Sequence, residues 1–71
     1  MEYRGYIGRF IYNEDREIFE GHVENIHDIV IFHGKSMDSL YFAFKDAVQE
    51  YLEWCKKTGK KAEQPSSLPY L

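Results

Sequence analysis

Apolar residues recur at helical spacing over one stretch only, residues 36–59, SMDSLYFAFKDAVQEYLEWCKKTG. At about 100° per residue, Leu40, Ala43, Phe44, Ala47, Val48, Tyr51, Trp54 and Cys55 gather on one side of a helical wheel. Tyr41 and Leu52 stand at one margin of that arc, and Lys45, Asp46, Gln49, Glu50, Glu53 and Lys56 take the remainder. Phe42 alone breaks the pattern, in the middle of the polar arc. The ends carry their own signals. Ser36 is placed to accept a bond from a first-turn amide. Asp38 in the first turn and Lys56, Lys57 and Lys60 near the last suit the helix dipole. Gly59 follows where a left-handed residue closes a helix.

Upstream the period changes from helical to alternating. Residues 3–12, YRGYIGRFIY, read as a strand rich in aromatic and branched side chains. Gly5 and Gly8 mark a bulge or a close backbone approach within it. Alternation sets Tyr6, Phe10 and Tyr12 on one face and Tyr3, Ile7 and Ile11 on the other. Residues 13–16 form a polar turn short enough for a hairpin. Residues 17–24 return, with Phe19 and Val23 facing one way and Ile18, Glu20, His22 and Glu24 the other. After a connection at 25–28, residues 29–32 make a compact apolar strand, ended by His33 and Gly34.

The expected architecture is α+β: a three-stranded antiparallel β-meander packed on one face by a single α-helix, in the order β-β-β-α. Residues 1–60 form the domain. Residues 61–71 are a polar tail with two prolines, compatible with a short extra C-terminal strand on a sheet edge. Leu40, Phe44, Ala47, Val48 and Tyr51 are expected to pack against Phe10, Phe19, Val23, Val30 and Phe32. One helix covers one sheet face. The other still carries Ile7, Ile11 and Ile18, with part of Ile29 and Ile31, so these residues are the expected interface of a homo-oligomer, a dimer or higher.

Length and charge narrow the function. Seventy-one residues make one domain with a small core, the kind that relies on a staple or a partner. The single cysteine excludes an internal disulfide, and Cys55, on the apolar helix face, reads as a small buried hydrophobe. No signal peptide or membrane span is visible, which makes a cytoplasmic location the default and a membrane partner unexpected. A net charge of −3 argues against nonspecific nucleic-acid binding and suits a basic partner.

The candidate chemistry points the same way. His22, His27 and His33 lack the paired spacing of a zinc site, so neither metal nor cofactor is expected. Glu14, Asp15, Glu17, Glu20 and Glu24 form an acidic run along the first hairpin, read as a solvated strand face or as the contact site of a basic partner. Gly5 and Gly8 open no helix and make no phosphate loop. Phe42 is either an isolated exposed apolar residue or an interface anchor. No motif points to an enzyme and no catalytic residue is assigned.

Taken together, residues 29–65, IVIFHGKSMDSLYFAFKDAVQEYLEWCKKTGKKAEQP, resemble the HicB family of antitoxins of bacterial and archaeal toxin–antitoxin pairs. Tyr3, Gly5, Tyr6, Ile7, Phe19, Gly21 and Val23 begin the pattern, Ile31, Phe32, Gly34, Ser36 and Leu40 continue it, and Ala43, Phe44, Asp46, Val48, Tyr51, Leu52, Glu53, Cys55, Gly59 and Pro65 complete it. The resemblance implies a partial ribonuclease-H-like fold without catalytic residues. It also implies a binding module that covers and silences HicA, a small basic mRNA-cleaving toxin. Many family members continue past the equivalent of Pro65 into a DNA-binding segment, whereas this sequence ends six residues later; specific DNA binding is not expected of this chain alone. Tyr41 and Phe42 stand where the family pattern is polar or charged. The alternative is an oligomeric regulatory or structural module with no toxin partner.

Overall fold

The computed structural model describes residues 1–62. The expected C-terminal strand and most of the 61–71 tail therefore lie outside the described residues. Four strands, β1 (Glu2–Tyr3), β2 (Tyr6–Asn13), β3 (Ile18–Val23) and β4 (Ile31–Gly34), precede one helix, α1 (Met37–Thr58). The strands form one antiparallel sheet in chain order. The fold is α+β, an antiparallel meander with a helix laid across one face.

The additional strand is N-terminal. Residues 3–12 are not one continuous strand, because the chain reverses at Arg4 and Gly5, with φ of 56° and 86°. Two successive positive φ values in a two-residue loop match the twist of the flanking strands. Met1 extends the pairing: its carbonyl accepts from the Gly8 amide at 2.7 Å, and its ammonium donates to the Gly8 carbonyl at 3.1 Å. The reversal sets Tyr3 opposite Tyr6 and so moves it to the helix side, away from the Ile7 and Ile11 face expected for it. There its hydroxyl accepts from Gln49 Nε2 at 2.7 Å. Gly5 is thus a turn residue and not a bulge.

β2 and β3 form the main hairpin, with Gly8 opposite Val23, Phe10 opposite Gly21 and Tyr12 opposite Phe19. In its turn Asn13 Oδ1 accepts from the Arg16 amide at 3.2 Å, and Glu17 adopts a φ of 53°. β4 starts at Ile31 and includes His33 and Gly34, later than the expected 29–32.

The helix follows its sequence signals closely. Ser36 Oγ accepts from the Ser39 amide at 3.1 Å, and Ser39 Oγ accepts from the Ser36 amide at 3.0 Å, which pairs two otherwise orphaned donors reciprocally. Gly59, at φ 78°, ends the helix in the left-handed region. Tyr6, Val23, Phe32, Leu40, Phe44, Val48, Tyr51 and Cys55 are buried. Phe10, Phe19, Val30 and Ala47 lie half-buried at its flanks. Gly8 and Gly21 leave room for rings: a Cβ on Gly21 would stand 2.6 Å from the Phe32 ring, and one on Gly8 2.9 Å from those of Phe32 and Phe44. Those two rings meet at 5.0 Å between centroids and form the middle of the core.

Candidate protein-binding surface

Among the described residues nothing covers the sheet face away from α1. The pairing register arranges it in rows. Arg9, His22 and Ile31 lie abreast, followed by Ile11, Glu20 and His33, and then by Asn13 and Ile18. Ile11 and Ile31 are 67% and 69% exposed, Ile7 is 41% exposed, and Ile18 is half-buried. The three isoleucines assigned to an interface therefore share one face, and Ile31 extends their patch.

The five carboxylates separate into two groups. Glu20 receives Arg16 Nη1 at 3.1 Å and Asn13 Nδ2 at 3.4 Å, and Glu24 pairs with Arg9 Nε at 3.3 Å. These two sit among the isoleucines with their charge partly compensated. Glu14, Asp15 and Glu17 are exposed in the hairpin turn and make no ion pair with the described residues. The acidic run is thus a charged tip joined to a mixed apolar–polar face.

Phe42 does not join them. It is 63% exposed on the outer side of the helix, and the sheet and helix layers separate it from Glu20 and Glu24. Its ring has an intramolecular role: Lys45 Nζ lies 5.2 Å from the Phe42 centroid, 5.1 Å from that of Tyr41 and 5.9 Å from that of Tyr3. Three aromatic faces around one ammonium are a favourable electrostatic arrangement. His22 and His33 are exposed on the uncovered face. Among the described residues no three His, Cys, Asp or Glu side chains converge as metal ligands would, and no helix is long and apolar enough to cross a membrane.

A second feature was not anticipated. Asp28, in the β3–β4 connection, accepts from the Tyr51 hydroxyl at 2.6 Å and from Lys60 Nζ at 2.8 Å. The hydrogen bond from Lys60, then that from Tyr51, holds its carboxyl below the ordinary aspartate value. Beside this cluster, between β4 and α1, runs a cleft of about 450 Å³ bounded by residues that include Ile29, Ile31, Ala47, Glu50 and Trp54. Ile29 is 89% exposed and Trp54 51% exposed. The signal in the sequence was Trp54 itself, whose wheel position adjoins Glu50 at the rim of the apolar arc. Comparison with family models, with curated proteins and with solved structures found no match.

Proposed function

We propose that the chain is a HicB-like antitoxin, a non-catalytic protein that binds and neutralises a small basic, mRNA-cleaving toxin of the HicA type. The observation that carries this reading is the face away from the helix, where Ile7, Ile11 and Ile31 are exposed on the sheet whose β2–β3 hairpin ends in the acidic tip of Glu14, Asp15 and Glu17. An apolar centre with a charged rim is the anatomy of a protein–protein interface. A ribonuclease must be basic where it grips phosphates, so a carboxylate-bearing tip is complementary to its active groove and steers the encounter. The family resemblance supplies the class of partner. The same isoleucine face supports self-association, and the antitoxin reading includes a homo-oligomer.

The test is a search for a small basic reading frame next to the gene, followed by its co-expression with this chain. Expression of that frame alone arrests growth, and this chain restores growth and co-purifies with its product. A product that is harmless alone, or that fails to co-purify, favours the second reading: an oligomeric module without a toxin, which the uncovered isoleucines serve equally well.

A further inference from the structure

Among the described residues the outer edge of β4 is unpaired. Val23 donates to the Val30 carbonyl at 2.9 Å, and Phe32 and Gly34 stand opposite Gly21 and Phe19 in the same ladder. In an antiparallel ladder alternate residues bond to opposite sides. The amides and carbonyls of Ile31 and His33 therefore point outward, and among the described residues none of them finds a backbone partner. An open edge of this kind is a template for one more strand.

The cleft adjoins this edge and determines what such a strand would carry. Its helix wall presents Ala47, Tyr51 and Trp54, with Glu50 on the rim. Glu50 and Trp54 are four residues apart, about 6 Å along a helix at 1.5 Å per residue. Two positions along a strand span about 6.6 Å, with both side chains on the same face. A strand added to β4 can therefore set one side chain against Trp54 and Tyr51 and the next on that face beside Glu50. Because α1 returns antiparallel to β4, a strand antiparallel to β4 reaches Glu50 first and Trp54 second.

We propose that the β4 edge and the β4–α1 cleft bind an extended segment of a partner protein as an added antiparallel strand, the segment carrying a basic residue two positions before a large aliphatic one. The aliphatic side chain fills the cleft, the basic one meets Glu50, and backbone bonds to Ile31 and His33 supply the register. The Glu50 carboxylate on the rim and the net charge of −3 select the basic residue. This surface is distinct from the acidic hairpin, and its occupancy does not depend on the toxin reading.

Trp54 is the only tryptophan, so its emission reports on the cleft directly. The probe is the capped peptide SVRVLVS, titrated into the full chain. Saturable blue-shifted emission is expected, with binding about tenfold weaker for SVEVLVS, in which an exposed attraction becomes a repulsion. Ile31→Pro removes an outward amide that no bond among the described residues uses, and is expected to abolish binding. Glu50→Lys should reverse the preference between the two peptides, and decides the matter alone if the proline variant does not fold. No saturable change up to about 1 mM, a range in which weak peptide recognition is measurable, would overturn the proposal. So would undiminished binding by a folded Ile31→Pro, an unreversed preference in Glu50→Lys, or a blue shift that grows with protein concentration alone and marks a second copy as the occupant. Failure of the peptide would leave the co-expression test of the toxin reading unaffected.

Discussion

Arg4 has the least favourable backbone in the first hairpin. Its φ of 56° places a side chain with a Cβ in the left-handed region, which costs about 1 kcal/mol. Asparagine tolerates that region better and, followed by glycine, is the preferred loop of this turn type. Arg4→Asn should therefore raise stability by about 0.5–1 kcal/mol, a shift of a few degrees in a domain this small, measured by thermal melting. Asp28 gives a prediction of opposite character. Its folded pKa lies below the unfolded value of 3.8, so its charged form favours the native state. That contribution is complete above the unfolded pKa and is lost as pH falls from there through the lowered folded pKa. Asp28→Asn should remove this part of the acid dependence while leaving the other carboxylates titrating. Equal slopes for both proteins in acid denaturation would show that the Asp28 carboxylate contributes nothing to the pH dependence of stability.

At the scale of the element, α1 carries the core. Leu40 and Phe44 are fully buried, and Val48 and Cys55 nearly so, because the apolar arc meets a sheet face whose centre is cleared by Gly8 and Gly21. Phe44 packs on Phe32 in that clearing. Phe44→Ala should cost about 3–5 kcal/mol, a large share of the stability available to a small domain. Chemical denaturation measures it, and a midpoint close to that of the parent chain would place Phe44 outside the core. The helix was legible because its signals are local: a wheel position, a serine before the first turn and a glycine after the last depend on residues within a few positions of one another. The strand boundaries were less so. Arg-Gly is a weak turn signal beside Asn-Gly, and an alternating run with a reversal inside it still looks like one strand.

For the whole molecule the decisive feature is that one helix covers one face of the sheet. Exposed Ile7, Ile11 and Ile31 on the other face should associate copies at micromolar concentration, and light scattering should give at least a dimer mass; a clean monomer mass would contradict this. If the hairpin tip steers a basic toxin, reversal of Glu14, Asp15 and Glu17 together to lysine should slow association and alter its salt dependence with the fold intact. Unchanged rate and salt slope, measured with a cognate toxin, would reduce the tip to a solvated surface. The amino-acid sequence by itself determined the helix, its caps, the side it buries and the alternation that leaves isoleucines uncovered, since period and capping act over short distances along the chain. Only the tertiary structure decided the rest. Asn25, from a distant connection, donates to the Gly5 carbonyl at 3.2 Å and accepts from the Ile7 amide at 3.1 Å, holding a turn that arginine alone disfavours. Arg9 and Arg16 reach Glu24 and Glu20, so that of the five hairpin carboxylates Glu14, Asp15 and Glu17 at the tip make no ion pair with the described residues. The Asp28 bonds to Tyr51 and Lys60 tie the C-terminal part of the helix to the β3–β4 connection beside the cleft. Such effects depend on which residues meet across the fold, and spacing along the chain carries no record of that meeting.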